Sequence, residues 1–254
     1  MTYKTRFLVY LFVLQVLTGC ASRSPTVAES LEALNLRIAP WAGATDHGAQ
    51  PAVWEHFKLP GKQPSKFDYA VEVGRSAIAA NAQSSASMLR QVVSIYPADL
   101  GSVKFSWKVP ELIAQADMAV RDTDDSPVRI VLAFDGDRSS FSAKNAALSE
   151  LAKLLTGEEL PYATLMYVWC NKRVAGSVIE NPRTDRIRKL VVESGSSGLN
   201  QWRDYERTIR TDFEKAFGEA PGKLMSISIM TDTDNTKSFA RAFYGPVKLL
   251  AKSH

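Results

Sequence analysis

Cysteine and histidine are scarce in this chain of 254 residues, which holds two cysteines, Cys20 and Cys170, and three histidines, His47, His56 and His254. So few thiolate and imidazole donors argue against a Cys/His zinc site, and one cysteine beyond Cys20 cannot close an internal disulfide. A cysteine nucleophile would need a base beside Cys170, yet the histidines form no recognisable arrangement with it, and Cys170 sits in the apolar run Tyr167-Val168-Trp169-Cys170. It reads as a small buried hydrophobe. Nor is charge of one sign in excess, with 31 Lys and Arg against 27 Asp and Glu, so no basic stripe offers a nucleic-acid footprint. No apolar run reaches the roughly 18 to 20 residues of a spanning helix, and no internal repeat or low-complexity tract is evident.

What the chain does have begins at its start. Lys4 and Arg6 precede the apolar run Phe7 to Val16, a positive n-region and h-region of secretory type, followed by Leu17-Thr18-Gly19-Cys20. That run resembles the bacterial lipobox, which implies removal of residues 1–19 and acylation of Cys20. Several acyl chains at about 0.8 kcal/mol per buried methylene make a stable anchor, so a water-soluble body can live at a membrane. Ala21 and Ser22, rather than Asp, follow the cysteine. By the bacterial sorting pattern that this resembles, the expected address is the outer membrane, facing the periplasm.

Residues 20–50 are rich in Ser, Pro, Ala and Gly, with one short helical pattern at Leu31, Leu34 and Ile38, and read as a lipidated tether. Residues 51–254 read as one globular body. Val103, Phe105, Trp107 and Val109 alternate with Lys104, Ser106 and Lys108, the cleanest half-buried strand in the chain. Tyr69–Val73, Met88–Ile95, Val128–Phe134, Leu165–Trp169, Arg186–Glu193, Leu224–Met230 and Ala240–Leu249 read as further strands between Gly, Pro, Asn and Asp clusters. Two helices are expected, one over Lys144–Leu155 with Leu148, Leu151 and Leu155 on one face and Gly157 as its cap. The other spans Trp202, Tyr205, Ile209, Phe213 and Phe217, its aromatic stripe docked on a sheet. The fold class is therefore all-β with accessory helices, a β-sandwich or jelly roll of galactose-binding-like type.

Three polar or aromatic groups are candidates for chemistry. Asp124 and Asp125 stand in an acidic loop just before a strand whose alternation puts Val128, Ile130, Leu132 and Phe134 inward and Arg129 on the other face. A guanidinium near carboxylates is either a structural ion pair or a bidentate clamp for a polar ligand. Asp232, Asp234, Asn235 and Thr236 follow another strand at the spacing of a calcium loop, but Lys237 and Phe243 replace the glycine and glutamate of the helix-loop-helix pattern. The alternative is a turn in which Asp and Asn bind nearby backbone amides, so Asp232 and Asp234 remain metal candidates and calcium the cofactor they would take. Trp54, Trp107, Trp169 and Trp202 fall on apolar faces, and Trp169 could either pack or stack on a sugar.

Several motifs recur in order: Trp54-Glu55-His56-Phe57, Ser84 to Leu89, Phe105-Ser106-Trp107-Lys108-Val109, Asp124-Asp125-Ser126-Pro127-Val128-Arg129, Tyr167-Val168-Trp169 and Asp232-Thr233-Asp234-Asn235-Thr236. Over Trp54 to about Leu249 the chain resembles the bacterial family catalogued as domain of unknown function 3047. The resemblance implies an exported β-rich domain close to the jelly rolls of carbohydrate-binding modules, and it supplies no catalytic residues; Cys170 directly after Tyr-x-Trp departs from it. The expected function is binding of a polar ligand, a glycan, by Asp124, Asp125, Arg129, Trp169, Asp232, Asp234, Asn235 and Thr236 at one end of the sandwich. Two alternatives stay open: cleavage of a glycan by two of the carboxylates, at separations of about 5 to 9.5 Å, and a scaffold for an envelope protein partner.

Overall fold

Alternation along β5 (Leu100–Lys108) sends Val103, Phe105 and Trp107 into a dry interior and leaves Lys104 in water. A computed structural model describes residues 54–252, so Cys20, the signal segment and the tether lie outside the described residues. Two sheets share the interior. The first has seven strands in the order β1 (Glu55–Lys58), β4 (Ala86–Ile95), β11 (Leu224–Asp232), β6 (Ser126–Phe134), β7 (Ala163–Cys170), β9 (Thr184–Ser194) and β8 (Val178–Asn181). The second has six, with β10 (Trp202–Thr208), β5, β12 (Phe239–Tyr244), β3 (Arg75–Gln83) and β2 (Lys66–Glu72) in line and β13 (Lys248–Ala251) also on β5. Their pairings are antiparallel except β7 with β9, which run parallel. The chain is thus an all-β sandwich with accessory helices.

Side chains from both inner faces interlock, as period two requires. Phe105 of β5 stacks on Tyr167 of β7 with ring centroids 5.6 Å apart, tying one sheet to the other. The helix α2 (Ile209–Phe217) closes one end by setting Phe213 edge-on to Phe134 at 4.7 Å. The loop after α2 leaves no room for a side chain at Gly222, where a Cβ would stand 1.9 Å from the backbone oxygen of Asp135. Backbone cannot swing aside as a side chain can, so Gly222→Ala should destabilise the fold by about 1–3 kcal/mol or more, read as a lowered urea midpoint.

Three expectations need correction. The helix drawn from Trp202 to Phe217 is a strand, β10, up to Thr208 and a helix only from Ile209. Residues 202, 205, 209, 213 and 217 fit a helical period, but the free edge of β5 accepts Trp202–Thr208 along its whole length, and sheet pairing overrides the local pattern. The strand drawn from Ala240 to Leu249 breaks into β12 and β13, because Gly245-Pro246 interrupts the ladder and Pro246 has no N–H to give it. Alanine-rich β3, over which the sequence predicts no element, has Ile78 as its one strong β-former yet is interior to its sheet, where Ala77 and Ala79 pack with Phe243. Trp202 packs against that same outer cluster rather than between the sheets with Trp54, Trp107 and Trp169.

The remaining helix, α1 (Ala143–Thr156), forms where expected, capped by Ser142 and by Gly157 at φ 78°. It turns its polar side inward. Asn145 donates to Asp185 at 2.7 Å and accepts from Thr184 at 2.8 Å, so hydrogen bonds to β9 fasten the helix while Leu151, Leu154 and Leu155 face water.

Candidate functional site

The two acidic loops meet at one end of the seven-stranded sheet, because β6 and β11 are neighbours and Asp232 pairs with Ser126 across the ladder. Arg129, on the outer face of β6, forks onto Asp232: Nε reaches Oδ1 and Nη2 reaches Oδ2, each at 2.9 Å. Nη2 also donates to the Asp124 carboxylate at 3.1 Å and to its backbone oxygen at 3.0 Å. On its other side Asp124 takes the Lys189 ammonium at 2.6 and 2.7 Å and the Asn181 amide at 3.0 Å. Asp125 accepts the backbone amides of Asn235 and Thr236, at 3.2 and 2.7 Å, together with the Thr236 hydroxyl at 2.6 Å and the Asn235 side-chain amide at 3.0 Å. Asp234 pairs with Lys62.

The centre of the cluster is buried: Lys189 and Asp125 are 0 % exposed, Arg129 and Asp232 3 %. Burial pushes the Asp232 carboxyl up to about 6 against the pull of Arg129, and burial together with Arg129 brings the Lys189 ammonium down to about 8. Such a cluster is held together by its own pairs, and the turn after β11 is closed by Asp125 from the opposite loop. Asp125, Asp232 and Asp234 offer oxygens within 4.8 Å of one another. Calcium asks for six to eight oxygen ligands, whereas these carboxylates face a guanidinium, an ammonium and backbone amides, a donor set that does not fit that ion. Trp169 is 0 % exposed in the core, with Nε1 donating to the Gly195 oxygen at 2.9 Å, so it presents no face on which a sugar could stack.

Sequence reading missed Lys189, Asn181 and Lys62. Lys189 carried a signal, since it stands between Ile187 and the apolar pair Leu190-Val191 inside a strand, where a charge must find partners. Asn181, at the end of β8, and Lys62, in a turn, carried none, since a polar residue at either place ordinarily meets water.

A different surface is open. On the outer face of the six-stranded sheet a trough of about 670 Å³ runs between β3, β5 and β10, lined among others by Arg75, Ser76, Lys104, Ser106, Asp204 and Glu206. It opens where β12 stops at Tyr244 and β13 resumes on β5 only at Lys248, so that between them the Gly245 amide alone reaches that edge, donating to the Ser106 oxygen at 2.9 Å. Gly245 runs so close there that a Cβ would stand 2.0 Å from the Ser106 hydroxyl oxygen. Arg75 crosses the trough to Asp204 at 2.8 Å, with its guanidinium 5.3 Å from the ring centre of Trp202. Glu206 takes Ser102 at 2.9 Å and Lys104 at 3.2 Å, and these two partners hold its carboxyl below the usual range.

Two solved structures share 9 % sequence identity with the chain. The xyloglucanase domain of NopAA, a type three effector from Sinorhizobium fredii solved with cellobiose, aligns over 81 % of this chain and 96 % of its own with a TM-score of 0.42. The endo-1,4-beta-glucanase CelB2 aligns over 79 % and 92 % with a TM-score of 0.43. No curated protein sequence matches. Residues 52–248, nearly the whole described body, match the family described as protein of unknown function DUF3047, and the chain belongs to that family.

Proposed function

We propose that this is a lipid-anchored protein of the bacterial outer membrane, held through Cys20, whose sandwich binds a glycan in the trough of the six-stranded sheet without cleaving it. The observation that carries the reading is the lining of that trough. Arg75, Asp204, Lys104 and Glu206 offer paired donors and acceptors beside the Ser106 hydroxyl, the mixture that a ligand rich in hydroxyls needs. Among the described residues no helix is long and apolar enough to cross a membrane. Asp124, Asp125, Arg129, Asp232, Asp234, Asn235 and Thr236 act in this reading as a clasp that holds the end of the sandwich, and calcium is not required.

Hydrolysis would need one carboxylic acid of raised pKa beside a second carboxylate. In the trough Glu206 is held low and Asp204 is engaged by Arg75, which favours binding over turnover. The exposed Leu151, Leu154 and Leu155 of α1 favour a second reading, a scaffold that docks an envelope protein. The two are separated by passing soluble Ser22–His254 over an array of envelope and plant-type glycans, with calcium and after chelation, and reading both retention and released fragments. The expected result is retention without fragments, unchanged by chelation and weakened at least tenfold by Arg75→Ala. Fragments would make it an enzyme, and silence on every glycan would leave the protein scaffold.

A further inference from the structure

Three leucines on one face of α1 stand in water: Leu154 is 82 % exposed, Leu155 61 % and Leu151 51 %. Ala147, four residues before Leu151, is exposed beside them and lengthens the strip. Exposed leucines taken singly need no explanation, but a continuous strip on a helix already fastened by its other side asks for a cover. Glu158, just past the Gly157 cap, places the strip on the body by taking the Arg90 guanidinium on both oxygens, at 2.6 and 2.9 Å. Arg90 lies on the outer face of β4, since its neighbour Leu89 is in the core, and alternation puts the exposed Val92 on that same face.

The chain that precedes the body arrives at this spot. Phe57 of β1 lies 4.2 Å from the Arg90 guanidinium, and Glu55 pairs with Arg90 while Lys58 pairs with Ser87, so β1 is entered at the end of β4 that leads on to Val92. The residues before Trp54 carry a matching strip. Val27, Leu31, Leu34 and Ile38 recur at helical spacing, Thr26 and Glu29 have the spacing of a capping box, and Pro40 marks a stop. A helix this short is marginal in water and needs a surface for its apolar side. Residues 39–53 can span up to about 50 Å against a length of about 21 Å for α1, and such a link keeps the segment near the strip at about millimolar effective concentration.

We infer that residues 27–38 of the chain's own tether form an amphipathic helix that docks on Leu151, Leu154 and Leu155 of α1. A second copy or another protein would have to displace a segment that is already covalently at hand. The contact goes beyond the glycan reading and does not depend on it. With Cys20 acylated as proposed above, residues 20–26 alone, at most about 25 Å, separate the lipid from the docked helix. The bridge to Arg90 puts the strip on the outer side of the seven-stranded sheet, whereas the trough opens on the outer face of the other sheet, so docking turns the trough away from the membrane.

The test uses the mature chain carrying Cys20→Ser, which reads docking whether or not the lipid anchor holds, and compares its amide hydrogen exchange with that of the free peptide Ser22–Val53. Amides of residues 30–38 should exchange at least tenfold more slowly in the protein than in the peptide, at a rate independent of protein concentration. Leu151→Gln with Leu154→Gln should return them to the peptide's rate and leave the urea midpoint of the body unchanged, since both side chains are exposed and glutamine suits a helix. Leu31→Ser with Leu34→Ser should release the segment from the other side. Exchange as fast as in the peptide, or protection that survives the α1 substitutions, would overturn the inference. So would protection that grows with protein concentration, which gives the face to a second copy, or protection that appears only when solubilised envelope proteins are added, which gives it to a partner.

Discussion

Arg129→Met should cost about 3–5 kcal/mol, the range for breaking a buried pair by deleting one partner, and the urea midpoint at pH 7.5 should fall accordingly. Methionine fills much of the same volume, so the cost comes from charge rather than from a cavity. Asp232 would lose both arms of its fork and Asp124 one of its two cations, in a place where water does not reach. Acid should soften the loss. In the intact protein the Asp232 carboxyl already sits near 6, raised from 3.8, so the folded state holds that proton more tightly than the unfolded chain does. The stability this gives is fully present below about pH 4 and is lost as pH rises through about 6. Without the guanidinium the carboxyl rises further, and protonation can replace the missing cation. The difference between Arg129→Met and the parent should therefore be smaller at pH 5 than at pH 7.5. A difference that does not change between those values, or a substitution without cost at either, would show that the pairs do not hold this end of the sandwich.

Trp169→Ala should cost a similar amount, about 3–5 kcal/mol, for a different reason. Trp169 is wholly buried, Gly198 packs against its six-membered ring, and its indole nitrogen is spent on the Gly195 oxygen. Truncation opens a cavity between the sheets and leaves that oxygen to find another donor. Glycan retention by the protein that remains folded at low temperature should be unchanged, because the ring lies in the core and not on the trough. A normal melting temperature with lost retention would reverse the assignment and restore Trp169 as a stacking platform.

How far the chain can be read without its fold differs from residue to residue. Phe105 and Trp107 alternate with Lys104 so cleanly that β5 needs no tertiary information, and Val128, Ile130, Leu132 and Phe134 are buried as their alternation requires. Gly157 and Gly218 end the two helices in left-handed conformation, as glycine at a helix end usually does. Trp202 to Thr208 could not be read this way, since seven residues can satisfy two periods at once and the choice belongs to the unpaired edge of β5. Leu148, Leu151 and Leu155 look like the buried stripe of α1, but two hydrogen bonds between Asn145 and β9, one donated and one accepted by its amide, outweigh them and turn most of the stripe outward.

The same division separates the two candidate sites. Composition, period-two alternation and the order of motifs are local properties of the chain, and they are enough to specify a β-rich sandwich of the DUF3047 family and to place acidic loops next to the strands holding Arg129 and Ile229. Pairing is not local. Arg129 meets Asp232 across 103 residues and Lys189 meets Asp124 across 65, so whether a guanidinium faces a ligand or a carboxylate of its own chain arises only once β6, β9 and β11 lie side by side. The trough follows the same rule. Its lining comes from four strands, β3, β5, β10 and β13, and its opening is a gap between β12 and β13 that exists because Gly245-Pro246 interrupts a ladder, so no run of residues spells it out.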